Sequence, residues 1–377
     1  MARKRILIEG WRGINHSYAM VNQNQILELI ESDHDLHHYD LPFYRAQWNS
    51  IKNSSGFDAD NQSKIFSLKT GEPSQAYDVV YRISFPYRLH QSNSEKLFVF
   101  GTAEFQNIDG YIYEDKLDQG IKNPQLKIIT PSNWSKIGFL RAGFDESQVC
   151  VIPHGINPQV YKPISPERRK QFREALKLSD DDFLLLSLGA MTQNKGIDLL
   201  ILAYSILKEK YPHLRLVLKD SSNLYGLRAA DVFRNHYINS NTVSENLFRS
   251  IISISDNLNQ GQLNGLYGAA DCYVSPYRAE GFNLTPLEAA ASGTPIIITK
   301  GGSTDDYFHE SFALQIDGSK ICDGNKTFIE PSLDSLVDQI AGLIEKRANK
   351  LNQNIAQEFI ENNFTWNKVV NKLLNLF

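Results

Sequence analysis

With 377 residues, the chain is too long for one compact core and comfortable for two domains. Hydrophobic residues make up 42% and charged residues 22%, as in an ordinary soluble globular protein. The net charge of -4 supplies no field that would draw the whole chain to nucleic acid or to an acidic membrane, and no nucleic-acid partner is expected. Cys150, Cys272 and Cys322 lack close spacing, which fits a reducing compartment and argues against a disulfide framework or a zinc site; no metal is expected. Met1 to Arg5 is basic, but the apolar stretch after it is only Ile6-Leu7-Ile8, short of a signal-peptide core. No run approaches the roughly 18 apolar residues of a membrane span, so a cytoplasmic location is expected.

In chain order, Arg5–Glu9 reads as a first strand, Gly10 to Asn15 as a loop, and the stretch to about Glu31 as a helix. Asn49 to Gln75 is polar and reads as a long surface loop. Val79–Ile83, Leu97–Phe100, Lys127–Thr130 and Val149–Ile152 are the further strands of the first half. Pro163 and Pro166 flank a short polar segment before a charged helix, which sets the domain boundary there: 1–163, then 164–361. The second half carries apolar runs at Phe183–Leu188, Leu214–Lys219, Ser250–Ser255, Cys272–Ser275 and Pro295–Thr299, with an amphipathic segment at Gly196–Lys210. Strands alternating with helices at this scale predict βαβ units and parallel sheets, an α/β fold. In such sheets ligands lie beyond the carboxyl ends of the strands, so the loops there are where functional residues are expected.

Gly10-Trp-Arg-Gly13-Ile-Asn-His-Ser17 is a glycine-bearing loop at a helix start, where a ligand can approach backbone N–H groups. Its spacing is not that of a dinucleotide fingerprint. Gly13 is the candidate binding residue, and Asn15 or Ser17 fits the helix cap. Leu188-Gly-Ala190-Met-Thr-Gln-Asn-Lys195-Gly196 runs from a strand into a helix. A lysine at such a turn can neutralise a diphosphate, although a lone one is usually just solvated. Lys219 ends the next strand and either carries similar charge or pairs with Asp220 at the surface. Asp180-Asp181-Asp182 reads as a solvated turn.

The sharpest segment is Glu280-Gly281-Phe282-Asn283-Leu284-Thr285-Pro286-Leu287-Glu288, between a strand and an Ala-rich helix. Thr285, Pro286 and Glu288 fit the N-cap, N1 and N3 positions of a capping box, worth of order 1 kcal/mol. A helix start is also an anion site, because its N–H groups and dipole point outward.

With Leu266-Tyr-Gly-Ala-Ala-Asp-Cys-Tyr-Val-Ser-Pro276 before it, this segment resembles the E-x7-E signature of retaining GT-B glycosyltransferases of family four. The resemblance is most specific over 183–299 and looser over 1–160. It implies two Rossmann-like domains facing a central cleft, with a C-terminal helix, about 362–377, packing back on the first. It implies that Glu288 hydrogen-bonds the donor ribose and that Glu280 lies near the transferred sugar. The N–H groups of Asn283, Leu284 and Thr285 would face the sugar or the diphosphate, with Gly281 and Phe282 in the same binding segment. The 188–196 loop is similar to the family's G-R-x4-K-G element: Lys195 falls on its lysine, but its arginine falls on Ala190, and Lys219 is the candidate to fill that gap.

The loop of Gly13 resembles one that faces the transferred sugar and the acceptor. Pro131-Ser-Asn-Trp-Ser-Lys136, with its serine as a helix cap, is also family-like. So is Val151-Ile-Pro-His154-Gly-Ile-Asn157, whose histidine either reaches the cleft or bonds its own backbone. Where many relatives carry a histidine, this chain has Glu104, a candidate catalytic carboxylate for the sugar or the acceptor hydroxyl.

The implied reaction is retaining, metal-independent transfer of a hexose-type sugar from a nucleotide-diphosphate donor to a glycan or lipid-linked acceptor, with no cofactor. A lipid-linked acceptor would bring peripheral contact with the inner face of a membrane. Two rivals stand beside it: a nucleotide-sugar epimerase or hydrolase on the same fold, and a non-catalytic sugar-nucleotide-binding scaffold.

Overall fold

Parallel strands covered by helices are buried on both faces and read as nearly continuous apolar runs. Phe183 to Leu188, apolar but for Ser187, is such a run, buried at every position. The structure, a computed structural model, describes residues 2–50, 54–234, 244–346 and 353–377. The chain forms two units, one of Met1–Gly155 with Phe364–Phe377 and the other of Ile156–Asn363.

The first unit is a seven-stranded sheet of β1 (Arg5–Gly10), β2 (Asp35–Asp40), β3 (Lys69–Thr70), β4 (Tyr77–Ile83), β5 (Ser94–Phe100), β6 (Leu126–Thr130) and β7 (Val149–Val151). Its order is β3-β2-β1-β4-β5-β6-β7, with every pairing parallel. The second unit holds β8 (Phe183–Gly189), β9 (Leu214–Asp220), β10 (Ile251–Ile254), β11 (Cys272–Ser275), β12 (Ile296–Thr299) and β13 (Ala313–Ile316), in the order β10-β9-β8-β11-β12-β13. β14 (Gly318–Asp323) and β15 (Lys326–Pro331) add an antiparallel hairpin. Parallel neighbours need crossover connections, and helices such as Ser17–Leu29 and Ile197–Lys210 supply them. One face of the second sheet packs Leu185, Leu216 and Val274 against Leu200, Tyr204 and Leu336.

Four elements depart from the sequence reading. The polar stretch expected as a loop from Asn49 to Gln75 contains the helix Ala59–Phe66 and β3, residues 51–53 of it lying outside the described residues. Asp58 starts that helix by accepting the Asn61 N–H at 2.8 Å, and Ile65 is its one buried side chain. β2 has the polar sequence Asp-Leu-His-His-Tyr-Asp, yet His37 and His38 are buried, with Asp35 at 3.1 Å and Asp40 at 3.3 Å respectively. β14 is exposed along its length, so no apolar run announces it.

The units divide after Gly155 and after Asn363, against boundaries expected after 163 and 361. The segment from Ile156 lies on the second unit: the Lys162 N–H donates to Asn264 at 3.2 Å, and the Tyr161 ring meets Tyr267 at 6.1 Å. Thr365 caps the last helix, Trp366–Leu374, which buries Val369, Val370 and Leu373 in the first unit. Among the described residues no helix is long and apolar enough to cross a membrane. Leu373 is 0% exposed, so Leu373→Ala should destabilise the protein by about 2–5 kcal/mol. A urea midpoint unchanged from wild type would show that this helix does not contribute to the core.

Candidate active site

In the second sheet the strand order reverses between β8 and β11, and the loops that leave their carboxyl ends, 190–196 and 276–283, lie at that switch point. Gly196 adopts φ 66°, and a Cβ there would run into the Pro276 carbonyl oxygen, so glycine alone lets the two loops close up. The Arg278 N–H then donates to the Asn194 carbonyl at 2.7 Å, and Asn194 Nδ2 to the Ala279 carbonyl at 3.1 Å. The Arg278 side chain donates to both oxygens of Asp198 at 2.7 Å, and to Glu330 at 2.8 and 2.9 Å. Within this frame the Lys195 ammonium meets the Glu280 carboxylate in a direct ion pair, with Glu280 buried.

Gly281, Phe282 and Asn283 are buried and lead into the helix Leu284–Ala291. Phe282 packs on the Tyr307 ring at 5.3 Å, and the Tyr307 hydroxyl donates to the Asn283 carbonyl at 2.7 Å. The capping box expected from Thr285 and Glu288 does not form. Asn283, in the left-handed region at φ 65°, occupies the N-cap, and its side chain donates to Ser275 Oγ at 2.9 Å instead of capping. Thr285 and Glu288 thus lie inside the helix, their side chains taken by tyrosines. Tyr273 donates to Thr285 Oγ1 at 2.7 Å, Tyr267 to Glu288 Oε2 at 2.7 Å, and the Tyr161 hydroxyl also bonds Glu288. Burial pushes the Glu288 carboxyl up to about 7, against the two tyrosine hydrogen bonds.

Lys219 is the residue before the end of β9, opposite Leu188, and its ammonium donates to the Asp220 carbonyl. Burial lowers its pKa, opposed by the charges of Asp220 and Asp256, which are the groups it faces. Asp220 itself ties loops, accepting the Ala229 N–H at 2.9 Å and the Ser255 hydroxyl at 2.7 Å. Asp182, expected in a solvated turn, is buried and pairs with Arg215 at 2.9 Å.

In the first unit, Gly13, Glu104 and His154 follow the carboxyl ends of β1, β5 and β7. Gly13 has φ 80°, and its N–H donates to the buried Gln23 Oε1 at 2.9 Å. The cap of the following helix is neither Asn15 nor Ser17 but His16, whose Nδ1 accepts the Tyr18 N–H at 3.2 Å. Burial, then the Arg45 charge, lowers His16 to about 4, which keeps the ring a neutral acceptor. Ser132 caps its helix as expected. The next residues of that helix hold the Glu104 loop: Ser135 Oγ accepts the Ala103 N–H at 2.6 Å, and Trp134 Nε1 donates to the Glu104 carbonyl at 2.7 Å. The Glu104 side chain is half-buried, and its charge bears on Tyr18 and Tyr111. His154 packs between Phe100 at 5.6 Å and Trp366 at 6.1 Å, and burial drops its pKa to about 3, leaving it neutral.

Lys195, Glu280 and the 281–288 segment therefore gather at one place in the second unit. Sequence reasoning missed Arg278, Tyr161, Tyr267 and Tyr273. Arg278 carried a usable signal, a charged residue inside a strand-end loop; Tyr267 and Tyr273 stand in the Leu266–Pro276 segment with nothing local to mark their part.

Residues 168–364 match the family model described as glycosyl transferases group 1, over half of the chain. The chain belongs to this family. Mannosylfructose-phosphate synthase of Agrobacterium fabrum is 27% identical over 236 residues, 62% of this chain and 48% of that protein. D-inositol 3-phosphate glycosyltransferase of an Arthrobacter species is 28% identical over 188 residues, 50% of this chain and 42% of that protein. The chain spans about half the length of the curated relatives it matches. A glycosyltransferase structure from Rickettsia africae has a TM-score of 0.72 at 16% identity, covering 100% of this chain and 98% of that one. HepE of Anabaena, solved with UDP and glucose, has a TM-score of 0.69 at 14% identity, covering 99% of each. At such identities the likeness concerns the fold: two parallel-sheet Rossmann-like α/β units, as in GT-B glycosyltransferases.

The raised Glu288 carboxyl has a signature in stability. Its contribution is fully present below the ordinary value of 4.5, where both states are protonated, and is lost as pH rises through about 7. Glu288→Gln should therefore flatten the fall in stability across that window, measured by urea unfolding at a series of pH values. Parallel profiles for wild type and variant would show that the carboxyl does not titrate there.

Proposed function

We propose that the chain is a retaining hexosyltransferase that binds a nucleotide-diphosphate sugar in its second unit and passes the sugar to a glycan or lipid-linked acceptor. The observation that carries the reading is the Lys195–Glu280 pair set beside a helix start that no side chain caps, with Glu288 in the same helix. Free N–H groups at a helix start and a lysine together suit a diphosphate, so the counter-charge comes from the protein and no metal is required for it. HepE, similar in fold, is a protein solved with UDP-glucose, which supports a nucleotide-sugar donor.

In the proposed site Glu288 accepts from the ribose hydroxyls and the first-turn N–H groups meet the diphosphate. Lys195 neutralises the charge that grows as the bond from the anomeric carbon to the phosphate oxygen breaks. Glu280 accepts from the hydroxyls of the transferred sugar. The acceptor oxygen bonds the anomeric carbon on the same face, and its proton passes to the leaving phosphate oxygen. The acceptor is assigned to the first unit, where Gly13 and Glu104 lie on loops after β1 and β5.

The first test is a thermal-shift panel of UDP, GDP, ADP and their sugar conjugates. One nucleotide family at about 100 times its dissociation constant should add roughly 2.7 kcal/mol of stability. Lys195→Ala should then lower sugar transfer by about 10²–10³-fold, since it removes one electrostatic partner of the leaving group. Binding with no turnover towards any glycan or lipid-linked acceptor would favour a scaffold, and donor consumption without acceptor a hydrolase or epimerase. No shift with any nucleotide at millimolar concentration would overturn the reading.

A further inference from the structure

Three tyrosines lead, ring beside ring, toward the start of the helix Leu284–Ala291. Tyr161 comes from the segment by which the chain enters the second unit, Tyr267 from the helix Gln260–Ala269, and Tyr273 from β11. The Tyr161 and Tyr267 rings lie 6.1 Å apart, and those of Tyr267 and Tyr273 5.7 Å apart. Their hydroxyls end on the helix, two on the Glu288 carboxylate and one on Thr285. Glu288 is thus gripped from two separate elements while its side chain remains only partly buried.

A carboxylate offers about four acceptor positions on two oxygens. Among the described residues the tyrosines use two of them, which leaves two, the number that a vicinal diol needs. Neutral hydroxyls also fix the carboxylate without supplying a positive charge that would compete with the diol for it.

We propose that Tyr161 and Tyr267 are positioning residues that aim the Glu288 carboxylate at the two ribose hydroxyls of the donor nucleotide, and so set its preference for ribonucleotides over deoxyribonucleotides. This rests on the reading of Glu288 as the ribose acceptor. Losing either hydroxyl leaves the carboxylate free to rotate, and a diol then meets it in the wrong geometry. A ligand without the hydroxyls is indifferent to that loss.

The test compares Kd values, by calorimetry, for UDP, GDP and ADP and for their 2′,3′-dideoxy counterparts, on wild type, Tyr161→Phe and Tyr267→Phe. Wild type should prefer one ribonucleotide over its dideoxy form. Each Phe variant should cut that preference about 3- to 10-fold, the effect of one hydrogen bond, by weakening the ribonucleotide alone. Variants that keep the full preference overturn the proposal, as do variants that weaken both ligands equally, which marks the hydroxyls as structural. Wild type that binds no nucleotide, or binds ribo and dideoxy forms alike, overturns the underlying reading of Glu288 as well. That outcome is read on wild type alone and is separate from the first two.

Discussion

One guanidinium between two carboxylates organises the second unit. Arg278 has five N–H donors and the structure uses five: Nε and Nη2 on Glu330, Nη1 and Nη2 on Asp198, and Nη1 on the Gln193 carbonyl at 2.9 Å. Burial opposes its charge, but Asp198 and Glu330 outweigh that and hold it charged. Asp198 lies in the first turn of the helix after β8, where a negative charge also suits the helix dipole, and Glu330 lies on β15. A single side chain thereby joins the helix, the loop after β11 and the hairpin. A lysine could not replace it, since a point charge lacks the planar fork that reaches both carboxylates. Asp198 and Glu330 are 34% and 42% exposed, so the gain is in fixed geometry more than in energy.

The first unit reaches a similar end by other means. Its strand order reverses at β1 and β4, and Glu9 pairs across those strands with Arg82, 2.6 Å apart and both buried. Arg82 also donates to the Arg88 carbonyl at 3.0 Å, which holds the loop after β4. Beside it, the helix Ser17–Leu29 buries four consecutive amides. Asn22 holds the Trp11 carbonyl, Gln23 the Gly13 N–H and Gln25 the Tyr81 hydroxyl, while Asn24 turns back on Met20. Buried amides are costly unless bonded; here Asn22 and Gln23 bond the loop that follows β1, Gln25 bonds β4, and Asn24 bonds its own helix. In both units a cluster of bonded polar groups lies where loops leave the carboxyl ends of strands, while the strands carry mainly apolar side chains.

That division explains what the sequence disclosed. Strands such as Phe183–Leu188 and Leu214–Lys219 were legible because burial on both faces favours nearly continuous apolar residues. The E-x7-E segment was legible because a strand, a tight loop and a helix start need particular residue types at fixed offsets. β2 was not, since its histidines are buried through Asp35, Asp40 and Asn22, partners far or unmarked in the local pattern. The capping-box reading of Glu288 failed for a related reason. Asn283 takes the left-handed turn because its side chain reaches Ser275 and its carbonyl receives Tyr307, contacts that lie 8 and 24 residues away. Local propensity favoured Thr285, and tertiary bonds moved the helix start upstream to Leu284.

The ion pair of Lys195 with Glu280 follows from the same frame and bears on how such a site can work. Glu280 is 6% exposed, and a charge buried without a partner is costly. Lys195 removes that cost, and Glu280 in turn fixes a long side chain that would otherwise sample many rotamers. The ammonium carries three donors, so phosphate oxygens could meet it while it remains beside the carboxylate. A diphosphate arriving at the helix start would therefore meet a cation already oriented, with little reorganisation left to perform as charge moves onto the leaving oxygen. The carboxylate, relieved of part of its partner, is then able to accept from hydroxyl groups of a sugar. The short reach between the loops, set by Gly196 under the Pro276 carbonyl and by Arg278, would let one lysine serve both ends of such a ligand.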